Sequence, residues 1–245
     1  MLLAVDIGNS AIKFGLFEDE LLTSRFSIPT KRNATVDEIK LAVGEDMGQP
    51  IEAVIVCSVV PDIEPSMRSF LLDATGIEPT FIDNSFNFGL QIKYTPLESL
   101  GADRLVAAFA AVEKYGTPCI VCGLGTATTI DVVNVDHEFL GGIIAPGMDA
   151  MAEALNLKAA KLPKVDVMRP ERMLGNSTTE SIRSGVYHGY VAMVEGLITR
   201  IRTESGISKV VGTGGNAARV SAEFTGLMTV DPDLVLNGLR ILGSN

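Results

Sequence analysis

Leu2-Leu3-Ala4-Val5 is a short apolar run that meets the polar stretch Asp6-Ile7-Gly8-Asn9-Ser10, after which Ile12-Lys13-Phe14-Gly15-Leu16-Phe17 alternates. A buried strand, a tight turn and a second strand follow from that pattern, joined as a hairpin. Leu21 to Ile28 supplies a third antiparallel strand, and Val36 to Met47, with Asp37 and Glu38 in its first turn, a helix. Val54-Ile55-Val56-Cys57 is continuously apolar, as a buried parallel strand is. Ile63 to Ala74 predicts a helix, Pro79-Thr80-Phe81-Ile82 a strand, and Gly101 to Lys114 a helix with Leu105-Val106-Ala107-Ala108-Phe109 on its core side. From Cys119 the order begins again. Strands are expected at 119–122, 128–133 and 138–144, helices at 148–158 and 178–204, then strand 209–213, helix 215–222, strand 227–230 and helix 233–242. Three strands, helix, strand, helix, strand thus occur twice, which predicts an α/β protein of two duplicated domains, 1–115 and 116–245, each built on a mixed five-stranded sheet. The halves share negligible sequence identity, so the duplication rests on element order.

Each half carries a turn suited to phosphate between its first two strands. In the first, Gly8 permits positive φ and a close backbone approach, Asn9 tolerates the left-handed region and Ser10 offers a hydroxyl, so backbone N–H groups can form an anion-binding concavity. Asp6 ends the strand. A carboxylate beside polyphosphate repels it unless a divalent cation lies between, and Mg²⁺ characteristically takes one or two carboxylates together with phosphate oxygens and water. Lys13 can offset phosphate charge. The second turn, Gly125-Thr126-Ala127-Thr128-Thr129, lies between Cys119-Ile120-Val121-Cys122 and Ile130-Asp131-Val132-Val133. Either turn alone is explained by an ordinary polar hairpin; two at equivalent places predict a nucleotide in the cleft between the domains. Gly212-Thr213-Gly214-Gly215-Asn216-Ala217 joins a strand to a helix, where small residues let a ligand rest against backbone, although ordinary packing uses such turns too. Tyr94 and Gly101-Ala102-Asp103-Arg104 form the remaining constellation. Asp103 is either an N-cap or a base acting on a hydroxyl; Arg104 is either an ion-pair partner or a bidentate carboxylate clamp.

Composition narrows the partners. At 245 residues, 47% hydrophobic, the chain fits two domains and can bury a core. A formal charge of -10 argues against nucleic acid and offers no basic, membrane-seeking face. Trp is absent and aromatics are few, so base-stacking platforms are not expected. Cys57, Cys119 and Cys122 sit in apolar strand-like runs and are expected to be reduced, buried thiols; the CxxC spacing of the last two lacks the helix start a redox motif needs. The first residues lack the basic flank and apolar length of a signal peptide, and no run approaches a membrane span, so the cytoplasm is expected.

Asp6-Ile7-Gly8-Asn9-Ser10, Gly101-Ala102-Asp103-Arg104, Gly125-Thr126-Ala127-Thr128-Thr129, Gly141-Gly142-Ile143-Ile144-Ala145-Pro146-Gly147 and Gly214-Gly215 occur in the order and spacing of type III pantothenate kinases. Ala160-Lys161-Leu162-Pro163 and Tyr187 to Gly196 extend the match, and the chain resembles that family from end to end. The resemblance implies duplicated ribonuclease H-like domains of the actin-like ATPase type and transfer of the γ-phosphoryl of ATP to the 4′-hydroxyl of pantothenate, the first step of coenzyme A synthesis. Position by position it implies Asp6, Ile7, Gly8, Asn9, Ser10, Ala11, Ile12 and Lys13 as the first phosphate loop, with Mg²⁺ held at Asp6 through water. Gly125 and Thr126 are implied in the second loop, and Gly214 and Gly215 at the adenosine side. Asp103 is implied as general base. Gly101, Ala102 and Arg104 are implied to line the pantothenate pocket, with Tyr94 closing over it. Thr178 matches a substrate-contacting Thr that the family donates from the neighbouring subunit, so a homodimer is implied, with Ile182 to Ile201 as its helix or, equally, as core of one subunit.

One departure is chemically serious. The resemblance calls for an Asp two residues before the Gly of the second turn, ligating a monovalent cation, K⁺ or NH₄⁺; Gly123 stands there. Ser10-Ala11 replaces the common Thr and Asn, a milder change because the hydroxyl is kept. Two expectations follow: an active kinase with weakened or absent K⁺ dependence, or a non-catalytic relative that binds nucleotide or a pantothenate-like ligand. Another sugar or acetate-type kinase would leave Tyr94 and Gly101 to Arg104 unexplained.

Overall fold

The computed structural model describes residues 1–44, 50–224, 226 and 228–244. The elements run β1 (Leu2–Ile7), β2 (Ala11–Glu18), β3 (Leu21–Pro29), α1 (Val36–Val43), β4 (Ala53–Ser58), α2 (Glu64–Thr75), β5 (Thr80–Ile82), β6 (Gln91–Ile92) and α3 (Ala102–Tyr115). They continue with β7 (Cys119–Leu124), β8 (Ala127–Val133), β9 (Glu138–Pro146), α4 (Met148–Lys158), α5 (Thr178–Ser205), β10 (Val210–Thr213), α6 (Ala217–Glu223), β11 (Thr229–Val230) and α7 (Leu234–Gly243). The end of the helix expected to reach Met47, and Leu227 of the strand expected at 227–230, lie outside the described residues.

The chain divides into two compact units. The first holds Met1–Leu90, Tyr94–Glu113 and the chain from Asp233; the second holds Gln91–Lys93 and Lys114–Pro232. In the first unit the sheet order is β3-β2-β1-β4-β5, antiparallel across β3, β2 and β1 and parallel across β1, β4 and β5. Leu3, Val5, Ile7, Ile12 and Phe14 bury one face against Ile39 and Val43 of α1 and Met67, Phe70 and Leu71 of α2. Both helices start and stop on local signals. Thr35 and Glu38 form a reciprocal capping box on α1, and α2 ends at the left-handed Gly76. α7 packs on β1, β2 and β4. Chain order alone assigns this helix to the second half, but its apolar stripe of Leu234, Leu236, Leu239 and Leu242 is buried in the first unit. Gly238 makes that seat possible, since a Cβ there would fall 2.9 Å from the Val106 carbonyl of α3.

The second unit repeats the order as β9-β8-β7-β10-β11. It departs from the expected five strands by one: the two-residue β6 pairs parallel to β9 and makes the sheet six-stranded. Its core joins Ile120, Cys122, Leu124 and Ile130 of the sheet to Ile182, Val186, Tyr190, Val194 and Ile198 of α5. That burial assigns one face of the Ile182 to Ile201 stretch to the core of a single subunit. All three cysteines are free and buried, and burial pushes the Cys119 thiol up to about 11 and that of Cys122 further.

Candidate active site

The β1–β2 hairpin puts Asp6 opposite Lys13 in register, with Lys13 Nζ 3.7 Å from Asp6 Oδ2. The turn between them is held by its own backbone: Gly8 N–H donates to the Ala11 carbonyl at 3.1 Å, and Thr30 N–H to the Ser10 carbonyl at 3.1 Å. Thr30 Oγ1 also donates to the Gly8 carbonyl at 2.6 Å, a tie from just beyond β3 that no local pattern announces. Positive φ, expected at Gly8 and tolerated at Asn9, is used at neither. What the turn needs at Gly8 is close approach, because a Cβ would lie 3.1 Å from the Ala11 carbonyl. Ile7 and Ile12 are buried core residues, so they can offer a ligand only backbone, while Asn9 and Ser10 are exposed.

Asp103 is the second residue of α3, two places beyond Gly101, where a capping side chain would stand. Its Oδ1 accepts the Arg104 N–H at 2.9 Å. Gly101 leaves room for that carboxylate, since a Cβ built there would fall 2.5 Å from Asp103 Oδ1. Asn84 steadies the approach to the helix by donating to the Leu97 carbonyl at 2.8 Å. Arg104 is buried at 6% exposure, its guanidinium carbon 5.4 Å from the centroid of the Tyr94 ring.

The electrostatics of this cluster are those of acids kept from water. Burial pushes the Asp6 carboxyl up to about 6, and the charge of Asp103 adds to the rise against the lowering pull of Lys13. Burial likewise raises Asp103, against the Arg104 N–H and the Arg104 charge. Cys57, paired with Asp6 across β1 and β4, is raised by burial and then by Asp6, Asp103 and Glu64. Among the described residues no three His, Cys, Asp or Glu side chains group as a metal cage. One buried carboxylate, not fully offset by its Lys, suits a Mg²⁺ that draws its other ligands from phosphate and water.

In the second unit, Gly125 N–H donates to the Ala127 carbonyl and Gly147 N–H to the Thr126 carbonyl, each at 3.1 Å. A side chain at Gly147 would collide with the carbonyls of Gly125 and Thr126. On the other side, Asn216 N–H donates to the Leu124 carbonyl at 2.9 Å, and Gly214, at φ +92°, has no room for a Cβ, which would lie 2.7 Å from that same oxygen. The left-handed Gly214 also delays α6 to Ala217, two residues later than expected. Gly125, Thr126, Gly214 and Gly215 are therefore assembled around the end of β7. Beneath them Thr128 Oγ1 and Tyr190 OH lie 2.7 Å apart, both fully buried, tying the start of β8 to α5.

Gly123 pairs with Thr129 on β8 and Thr213 on β10. A Cβ at Gly123 would fall 2.6 Å from Thr129 Oγ1. Asp131, the next acid along, is 2% exposed, with its Oδ1 against Gly142, where a Cβ would meet it at 2.6 Å. Thr178 opens α5, capped by Ser177, and stands exposed at the edge of a groove of about 990 Å³ also lined by Met151, Leu155, Asn176 and Ile182.

Residues 2–200 match the family model described as Type III pantothenate kinase. The chain is 41% identical to the type III pantothenate kinase of Desulfosudis oleivorans, over 100% of this chain and 99% of that protein. To the type III pantothenate kinase of a Roseiflexus species it is 39% identical, over 99% and 98%. Among solved structures it is similar to a ROK family glucokinase from Streptomyces griseus in complex with glucose and AMPPNP, with a TM-score of 0.55 at 13% identity, covering 99% of this chain and 98% of that one. At that identity the likeness speaks for the fold, in line with the duplicated sheets described above.

Proposed function

The chain belongs to the type III pantothenate kinase family, and from this we infer that it transfers the γ-phosphoryl of ATP to the 4′-hydroxyl of pantothenate, with Asp103 as general base. The observation that carries the assignment of the base is the burial of Asp103 beside Asp6 at the start of α3. Burial raises its pKa toward the working pH, where a carboxylate holds a hydroxyl proton more strongly while remaining ionised. Asp103 accepts the proton of the attacking hydroxyl as its oxygen bonds to the γ-phosphorus, and the bond from that phosphorus to the β–γ bridging oxygen breaks, releasing ADP. Arg104 is suited to the pantothenate carboxylate, and Tyr94, packed on its guanidinium, covers the bound substrate. The N–H groups of Asn9 and Ser10 and the Ser10 hydroxyl donate to phosphate oxygens, as does Thr126; Gly8 and Gly125, whose own N–H groups are taken by carbonyls, let phosphate come close to the backbone, and Gly214 and Gly215 let the nucleoside lie against it. Asp6 would hold Mg²⁺ through water, and that ion would neutralise phosphate charge. A non-catalytic relative would have no use for the raised Asp103 or for the space Gly101 keeps for it.

A coupled ADP-release assay with Mg²⁺ and pantothenate, with 4′-phosphopantothenate identified by mass spectrometry, tests the activity. ADP formed without that product would overturn it. The positioning of the base has its own test: Gly101→Ala puts a methyl group against Asp103 Oδ1. A kcat lower by about 10²-fold at unchanged Tm is expected, the scale of a 1 Å misplacement; unchanged kcat would remove Gly101 from the site.

The working enzyme is a homodimer in this proposal, with Thr178 of one copy reaching the pantothenate pocket of the other. Supporting it, Ile144, Leu155, Leu157, Met173 and Leu174 leave large apolar side chains exposed in the second unit, with Leu155 in the groove that Thr178 edges. Light scattering should give twice the chain mass of 26.0 kDa. Thr178→Ala should raise the KM for pantothenate and leave that for ATP unmoved; a monomer with full activity would refute the shared site. No helix among the described residues is long and apolar enough to cross a membrane, and a cytoplasmic location is part of the proposal.

A further inference from the structure

The family resemblance implies a monovalent cation held by a carboxylate at position 123, and the residues present do not fit it. Between Lys114 and Asp131 the chain carries no charged side chain. Gly123 has no ligating atom to offer, and the space its side chain would enter is taken by Thr129 Oγ1, 2.6 Å from the Cβ position. Asp131 is no substitute. It lies two residues further along β8, on the order of 7 Å at strand spacing, and is buried against Gly142. Asp149, in the first turn of α4, is exposed, so its charge is satisfied by solvent.

We propose that the second phosphate turn grips the nucleotide through neutral donors alone and that phosphoryl transfer by this chain is independent of K⁺ and NH₄⁺. The physical reason is charge balance. A carboxylate facing polyphosphate adds repulsion that a bound cation removes, so carboxylate and cation are needed together or not at all. Here the carboxylate is gone, and a neutral threonine hydroxyl packs on the glycine backbone in its place. A monovalent cation added to this turn meets no carboxylate at position 123, only the water-screened charge of Asp149, and gains no preference for the transition state over the ground state.

The inference rests on the kinase activity proposed above, and the experiment keeps the two apart. Turnover is measured with tetramethylammonium as the only monovalent cation, then with K⁺, NH₄⁺ or Na⁺ added at constant ionic strength. Calorimetric binding of Mg²⁺–ATP is followed with and without K⁺. Turnover and ATP affinity unchanged to within about twofold by any cation are expected; saturable activation of about tenfold or more, or a matching gain in ATP affinity, overturns the proposal. If no phosphopantothenate forms in any salt, the assigned activity fails, while the calorimetry still decides cation independence. The converse variant joins Gly123→Asp to Thr129→Ala, which clears the Oγ1 from the new side chain. It should turn over slowly in tetramethylammonium and recover with K⁺; a variant slow in every salt despite a wild-type Tm and intact ATP binding would count against the charge-balance account.

Discussion

Asp103→Asn should abolish most phosphoryl transfer, lowering kcat by about 10²–10⁴-fold, the range that general-base catalysis contributes, and should leave ATP affinity near that of the parent. The substitution isolates proton transfer because it preserves the local geometry. Asn keeps an oxygen at Oδ1 to accept the Arg104 N–H, now 2.9 Å away, and fits the space left by Gly101. What it loses is the capacity to take a proton from the attacking hydroxyl. It also removes a buried negative charge that presses on Asp6, so its Tm should not fall. The pH dependence follows from the same burial. As a base Asp103 must be ionised, and its pKa is raised, so with Mg²⁺–ATP saturating, which keeps Asp6 ionised, the acid limb of kcat/KM for pantothenate should lie above the ordinary range for an aspartate, and the residual activity of the variant should lack that limb. Near-normal kcat in Asp103→Asn, or an unchanged acid limb, would assign the base elsewhere.

Much of this fold is legible in the sequence because the pattern that specifies it is local. Alternation and apolar runs locate every long strand, and α4 begins and ends where its periodicity does, at Met148 and Lys158. The same logic fails where an element has no period. Gln91–Ile92 pairs over only two residues and is a strand solely because β9 lies beside it. The packing of α7 in the first unit is hidden for a related reason: an apolar stripe says that a helix is buried, not against what, and Gly238 acquires meaning only once Val106 is its neighbour. In the site, residue types with intrinsic chemistry announce themselves, as Asp6, Asp103 and Arg104 do. Supports that act across long stretches of chain do not. Thr30 reaches the Gly8 carbonyl and Tyr190 reaches Thr128 from 62 residues away, and nothing in a Thr just past a strand or a Tyr within a helix signals such a contact. Gly8 shows a subtler failure, since its residue type points to a conformational freedom that the turn does not use.

Asp6→Asn should make the ligand-free protein more stable while removing its response to Mg²⁺–ATP. The carboxyl of Asp6 is pushed up from 3.8 to about 6, chiefly by burial, with 13% of the side chain exposed. A raised carboxylate pKa means that the native state binds the proton more tightly than the unfolded chain does. Below pH ~4 both states are protonated and nothing is lost; between ~4 and ~6 the native protein must give up a proton it holds preferentially, so stability falls as pH rises. Above ~6 the penalty is complete and on the order of 3 kcal/mol, each tenfold difference in proton affinity between the native and unfolded states being worth about 1.4 kcal/mol. Asn carries no charge to desolvate, and Lys13, left without its partner, has 37% of its side chain in water. The Tm gain of the variant should therefore grow from pH 4 to 6 and hold steady above. Mg²⁺ and ATP invert the comparison. Ligand at about 100 times its Kd stabilises the wild type by ~2.7 kcal/mol, whereas the variant, without the carboxylate to hold the ion, should gain little and lose kcat by about 10²-fold or more. A variant less stable than wild type at pH 8 without ligand would mean that the strain at Asp6 is relieved by something other than a bound cation, and equal thermal shifts with Mg²⁺–ATP would take the metal away from Asp6.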